Sequence, residues 1–235
     1  MARVAGDRRG AGSAAMGACW RAGLALLAVG AIAGAMTGGQ GWWLHWVCKP
    51  AATLWVIAAL LRAPALPGRG GYRRWVLAGL CLSLLGDVLL MLPQGLFVPG
   101  LVAFALAHVC YIVAFAGGLA WPLALLPALG MVLLAGGNLL ALWPHLPADM
   151  QLPVSVYVVL IGLMACLALT RWRQRLPGGG LAAGGALLFV LSDSLLAWDR
   201  FAGPLPAAIA GVLLTYWAAQ ALIAGSAAAG DGAAQ

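Results

Sequence analysis

Residues 75–92 read WVLAGLCLSLLGDVLLML, eighteen positions of which only Asp87 carries a charge. At 1.5 Å per residue such a helix is about 27 Å long, close to the thickness of a bilayer's hydrocarbon core. Backbone polar groups in lipid must be satisfied within the segment, so this run reads as a membrane helix with one costly acid inside it. The pattern repeats in both directions along the chain. Apolar stretches bounded by Gly, Pro or charge lie at 22–37, 44–62, 75–92, 100–117, 119–143, 153–170, 180–198 and 205–224. The fold class they predict is an all-α integral membrane protein, a single bundle of eight transmembrane helices over 22–224. The small-residue-rich ends, 1–21 and 225–235, are expected to be disordered tails.

Composition agrees with this reading and closes off others. Of 235 residues 64% are hydrophobic and 8% charged. Soluble domains are roughly 45–50% apolar and 25% charged. So little charge cannot clothe a water-soluble globule, which excludes a soluble enzyme, a nucleic-acid-binding domain and a disordered protein. The five cysteines, Cys19, Cys48, Cys81, Cys110 and Cys166, are scattered without CxxC spacing and read as packing residues.

The thirteen basic residues orient the spans. With the N-terminus cytoplasmic and eight crossings, Arg3, Arg8, Arg9, Arg21, Arg62, Arg69, Arg73, Arg74, Arg171, Arg173 and Arg175 all fall inside. Only Lys49 and Arg200 fall toward the other side. This is a strong positive-inside bias, and it predicts both termini in the cytoplasm. Trp42, Trp43, Trp46, Trp143 and Trp198 then lie near the opposite boundary, as an aromatic belt would. Gly30-x-x-x-Gly34 and Gly180-x-x-x-Gly184 are candidate helix-packing contacts, although 33 glycines make such matches easy to find.

The acids are six Asp and no Glu, few enough to weigh singly. An ionisable group within a span is a functional candidate by default. Asp87, Asp193, Lys49, Asn138 and Tyr157 fall at similar depth on five different spans, with His108 slightly deeper on a sixth. Counted along the helices, this layer lies roughly 7–12 Å below the non-cytoplasmic surface. One polar cavity in the outer half of the bundle would account for the shared depth. Packing roles compete with this for each residue. Asp87 can be satisfied by Ser83 or Lys49, Lys49 can snorkel, and His108 shares a face with Phe104, Tyr111 and Phe115. Asp199 and Arg200 can be a loop-edge pair, Tyr216 and Gln220 can cement helices, and Ser192 and Ser194 widen the polar patch at Asp193.

Two carboxyls at one depth on different helices form a candidate acid–base pair. In low dielectric one tends to keep its proton while its partner stays ionised, a division suited to hydrolysis through an oxocarbenium-like intermediate. Two other chemistries use the same residues. Asp87 and Asp193 with His108 are a possible zinc set, although HExxH is missing; buried aspartates also serve proton-coupled transporters. Spacing leaves the three open.

The chain also resembles a known family. The residues that carry this are Gly86-Asp87-Val88-Leu89-Leu90-Met91, Phe97, Gly100-Leu101, Ala103-Phe104, Ala107-His108, Tyr111 and Ala114-Phe115. A second block comprises Gly185-Ala186-Leu187-Leu188-Phe189, Ser192-Asp193 and Leu196-Ala197-Trp198-Asp199-Arg200-Phe201, with Lys49-Pro50, Pro204-Leu205-Pro206, Tyr216 and Ala219-Gln220 agreeing as well. Together they resemble the YhhN-type lysoplasmalogenases over about residues 45–222. The resemblance implies an eight-helix enzyme that hydrolyses the vinyl ether bond of lysoplasmalogens to a fatty aldehyde and glycerophosphoethanolamine or glycerophosphocholine. It implies no organic cofactor, with Asp87 and Asp193 as the catalytic pair; no metal ligand is assigned. Lys49 and Arg200 are then expected to meet the phosphate, and His108, Tyr111, Asn138, Tyr157, Ser192, Asp199, Tyr216 and Gln220 to shape the substrate cavity. The partners expected are a lysophospholipid substrate and membrane lipid, with no nucleic acid. The location is the cytoplasmic membrane of a bacterium, which the Ala, Gly and Arg usage suggests, or the endoplasmic reticulum of a eukaryote.

Overall fold

Among the described residues, eight helices are each long and apolar enough to cross a membrane. They are α1 (Ala2–Thr37, of which Gly17–Thr37 is the apolar part), α2 (Trp42–Arg62), α3 (Gly70–Met91) and α4 (Phe97–Ala116), then α5 (Trp121–His145), α6 (Ala148–Arg173), α7 (Gly179–Phe201) and α8 (Ala208–Ala228). The computed structural model describes the backbone of residues 2–64, 66–92 and 94–229, with side chains from residue 17 onward apart from residue 40. No strand forms among the described residues. Of the tails expected at the chain ends, residues 1 and 230–235 lie outside the described residues. Helix ends run past the expected boundaries where polar residues stay helical. Asp199 and Arg200 belong to the last turn of α7, and α6 starts before Pro153, which forfeits only its own N–H.

The fifth span is the irregular one. It opens with a 3₁₀ turn at Trp121–Ala124, becomes α-helical over Leu125–Met131 and widens into a π turn at Val132–Gly136. It resumes over Gly137–Leu142 and ends in another 3₁₀ turn. Adjacent Gly136 and Gly137 carry little helix propensity, and Pro122 and Pro144 lie in the two 3₁₀ turns, so the span accommodates several geometries.

Packing separates a dense wall from a loose one. α3 lies along α4, α7 along α8 and α1 along α2, while α8 also touches α2, α3 and α1. α6 packs on α4 and α7, whereas α5 lies against α6 and reaches α7 chiefly through its Gly137–Leu142 segment. Small residues set the close approaches. A Cβ on Gly86 would fall 2.6 Å from the Phe104 ring, and one on Gly185 would fall 2.9 Å from the Ala219 carbonyl. Gly30 and Gly34 make such contacts against α2, at Cys48 and His45. Gly180 and Gly184 have only ordinary neighbours, so close packing of α7 on α8 uses Gly185 instead of the expected motif.

One end of the bundle is held by arginines. Arg73 donates to the carbonyls of Leu60 (2.7 Å) and Ala63 (2.8 Å), and Arg171 to that of Gly117 (2.8 Å). Arg69 donates to Pro177 (3.1 Å) and Ala229 (2.5 Å), so the last carbonyls of α2, α4 and α8 each receive a cation. Those carbonyls have no intrahelical partner and carry the negative end of the helix dipole. Three arginines that read as orientation signals therefore also terminate helices. Arg62 lies over Trp20 of α1 at the same end, so the first and last spans begin and finish together there.

Candidate functional site

Toward the opposite end, the helices part around a cavity of about 500 Å³. Its wall is mostly apolar, supplied by side chains such as Leu101, Phe104, Ile161, Leu187 and Leu213. The polar exceptions are Lys49 of α2, Asp87 of α3, Asn138 of α5, Tyr157 of α6, Ser192, Asp193, Ser194 and Arg200 of α7, and Tyr216 of α8. Five members of the polar layer expected from helix positions thus line one space, without His108 of α4 and with Tyr216 of α8 in addition.

Asp87 is buried and surrounded by donors. Thr53 Oγ1 and Tyr216 Oη each donate to its Oδ2 at 2.8 Å, and Lys49 Nζ stands 3.8 Å from Oδ1. The donors are themselves fixed. Trp217 Nε1 donates to Thr53 Oγ1 (3.3 Å), Gln220 Nε2 to Tyr216 Oη (3.1 Å), and Tyr111 Oη to Gln220 Oε1 (2.9 Å). Because Gln220 occupies a lone pair of the Tyr216 oxygen, the Tyr216 hydrogen is left to point at Asp87. Ser83, a sequence candidate for satisfying Asp87, lies 3.5 Å from Tyr111 Oη instead.

Asp193 has a sparser setting. It accepts from the Tyr157 hydroxyl, and its other oxygen has no hydrogen-bond partner among the described residues. No lysine or arginine forms an ion pair with it; the one ion pair among the described residues is Lys49 with Asp87. Two carboxyls on one cavity therefore meet opposite surroundings, one rich in donors with a cation and one with a single phenol.

The remaining candidates divide by position. Arg200 lies exposed at the rim with its guanidinium 4.3 Å from the Phe97 ring centre, and the same side chain lines the cavity. Asp199 lies off the cavity lining; its Oδ1 accepts from the Leu205 N–H at 2.8 Å and closes the α7–α8 turn. It is not paired with Arg200. Ser192 lines the cavity while its hydroxyl holds the Val212 carbonyl (3.1 Å), tying α7 to α8. The Asn138 amide is occupied on both sides: Nδ2 donates to Ser194 Oγ (3.1 Å) and Oδ1 accepts from Trp198 Nε1 (2.9 Å).

His108, Tyr111 and Gln220 lie off the cavity lining, in the layer behind it. His108 Nδ1 donates to the Phe104 carbonyl at 2.6 Å, and its ring packs edge-on among Tyr157, Phe189 and Tyr111. Among the described residues no group of three His, Cys, Asp or Glu side chains gathers in a way that could hold a metal ion, so the zinc set with His108 is not assembled.

Two contributors escape a reading of the sequence. Thr53 was detectable, since it lies four residues after Lys49 and so shares its helical face. Trp217 carried no such signal, because a membrane tryptophan reads equally as belt or core.

The model of the YhhN family matches residues 44–227. Among similar proteins, human "Lysoplasmalogenase TMEM86B" is 46% identical over 155 residues, covering 66% of this chain and 63% of that protein. The chain thus spans under two thirds of that relative's length. Human "Lysoplasmalogenase TMEM86A" is 36% identical over 191 residues, 77% of this chain and 75% of its own. The "Lysoplasmalogenase" of Mycobacterium bovis is 36% identical over 191 residues, 76% of this chain and 70% of its own. No solved structure matches the chain.

Proposed function

The chain belongs to the YhhN family, and from that premise we propose that it is a multi-pass membrane hydrolase of lysoplasmalogens. It cleaves the vinyl ether bond at the sn-1 position to give a fatty aldehyde and the glycerophospho-base. The observation that carries this reading is the pair of aspartates in contrasting settings on one amphipathic cavity. The activity named for its relatives supports it.

Protonation of a vinyl ether at its β-carbon gives an oxocarbenium ion, which water captures at the α-carbon. The surroundings support a division of roles. Asp87 accepts two hydroxyl donors and faces Lys49, all of which favour the carboxylate. Asp193 has no cation and is the proton donor. It passes its proton to the β-carbon, and the Asp87 carboxylate stabilises the cation and takes a proton from the incoming water. In the collapse of the hemiacetal, Asp87 returns that proton to the departing glycerol oxygen as the C–O bond breaks. Asp193 takes the proton from the remaining hydroxyl as the aldehyde forms, which restores both groups.

Arg200 at the rim meets the phosphate. Lys49 serves Asp87 in place of the phosphate role expected from sequence. Arg200 lies seven residues beyond Asp193, about 10 Å along the axis, which suits a phosphate separated from the vinyl ether by the glycerol backbone. The charge bias supports an arginine end that faces the cytoplasm, with both termini inside. The deciding experiment is aldehyde release from a vinyl-ether lysolipid by the purified protein in detergent, coupled to an alcohol dehydrogenase. Steady release is expected. Its absence under conditions where a relative is active removes the assignment, and solute-coupled proton uptake in vesicles would install the transporter in its place.

A further inference from the structure

The wall between α5 and α7 is built in two halves from one helical stripe. On α7, Leu187, Leu191, Ser194 and Trp198 recur at spacings of four, three and four, so they face one direction. All but Trp198 line the cavity, as do Leu134 and Asn138, one turn apart on α5. In the upper half the two helices are latched, with Asn138 held by Ser194 and Trp198. In the lower half no side-chain hydrogen bond joins them among the described residues. Leu134, Leu187 and Leu191 line the cavity and yet are 51%, 38% and 46% exposed on the molecule. α5 packs on α6 over Trp121–Gly136 but reaches α7 chiefly at Gly137–Leu142, and its π turn at Val132–Gly136 lies beside the gap.

We infer that this gap is a lateral portal, framed by Leu134, Leu187 and Leu191, through which the apolar chain of a single-tailed amphiphile passes from the site into the bilayer. The inference rests on the proposed lysolipid reading for the identity of the occupant. Its polar end is at Arg200, and the carboxyls lie between. Leu187 is six residues from Asp193 on the side away from Arg200, about 9 Å further along the axis. A cavity of about 500 Å³ that opened only at Arg200 would have to enclose the whole tail. Open at Leu134 and Leu187, it needs to hold only the headgroup-proximal part. Two consequences follow. Tail length beyond the first several carbons has little effect on turnover, and the aldehyde leaves into lipid, away from water. Asn138 becomes a positioning residue that fixes the upper edge of the portal, since both sides of its amide are used within the protein.

Two measurements test this. The first places a fluorophore at Leu191→Cys, with the exposed Cys19 and Cys81 changed to Ser, and titrates a lysophosphatidylcholine carrying a mid-chain nitroxide into nanodiscs. The control carries the fluorophore at Leu106→Cys, a lipid-facing site on α4. Saturable quenching at 191, several-fold above that at 106 and reversed by unlabelled lysophosphatidylcholine, is expected. Equal and non-competable quenching at both sites overturns the portal. The second compares kcat/KM for long-chain and short-chain vinyl-ether lysolipids. Leu187→Trp is expected to lower the long-to-short ratio at least tenfold, whereas Leu187→Met keeps it. An unchanged ratio in the Trp variant, with both rates intact or both reduced together, overturns the portal. Quenching needs no turnover, so the two readings fail separately. Quenching without cleavage of any vinyl ether refutes the hydrolase and leaves the portal standing, while cleavage without site-selective quenching refutes the portal alone.

Discussion

Asp87 and Asp193 are the same residue type, on neighbouring walls of one cavity, yet the two walls are built on different principles. Around Asp87, helices α2, α3, α4 and α8 approach closely, and each hydroxyl donor has a second partner behind it. The chain Tyr111, Gln220, Tyr216 is one such line and Trp217, Thr53 another. Around Asp193, α6 and α7 are backed by the irregular α5, and one phenol is the only donor among the described residues. Under the proposed mechanism, the contrast gives identical carboxyls opposite tasks. A dense wall can hold an ionised group because it surrounds that group with fixed dipoles, whereas a thin wall leaves its carboxyl free to exchange a proton and its edge free to admit a chain.

The largest effects should come from the carboxyls themselves. Asp87→Asn and Asp193→Asn are each expected to reduce aldehyde release by about 10²–10⁴-fold, the usual weight of general acid–base catalysis. They should differ in stability. Asp87→Asn leaves the Lys49 charge without its partner, so its thermal midpoint should fall by several degrees, while Asp193→Asn should unfold close to the wild type. Equal midpoints would break the contrast between the walls.

Next come the phenols. Tyr216→Phe removes a hydrogen bond to an ionised group, worth about 1.5–3 kcal/mol, which predicts a 10- to 100-fold loss in kcat. Tyr157→Phe should cost less, since in the proposed mechanism its partner Asp193 carries the proton at rest. The reverse order would exchange the acid and base assignments. Gln220→Leu touches no cavity surface, yet it frees the Tyr216 hydroxyl to turn; a kcat loss of about fivefold with KM unchanged is expected, equivalent to about 1 kcal/mol. A shift in KM instead would point to a distorted cavity.

The smallest effects separate the walls by packing alone. Gly86→Ala drives a methyl into the Phe104 ring and should cost about 1–3 kcal/mol of stability. Gly137→Ala on α5 meets open space and should be neutral or stabilising by up to about 1 kcal/mol. Thermal unfolding of both variants in detergent checks the pair.

The number of spans and their order were legible in the sequence, because membrane insertion depends on the length and apolarity of each segment taken alone. The two acids stood out for the same reason, as costly exceptions in apolar runs. A shared level along the bundle was legible too, since rise per residue is fixed and Lys49, Asp87, Asn138, Tyr157 and Asp193 line one cavity. Which face each helix turns inward was not. His108 shares the depth of the site but lies behind Phe104, and Asp199 turns to the Leu205 backbone, while Thr53 and Trp217 turn toward Asp87. In lipid every face of such a helix is apolar, so the sequence carries little amphipathic signal to set rotation. Rotation is decided by which small residues let neighbouring helices close, such as Gly86 and Gly185. The sequence alone therefore determined a membrane bundle with two exceptional carboxyls. Only the tertiary packing decided that one is surrounded by fixed donors and the other left nearly bare, because that difference is made by side chains from helices distant in the chain.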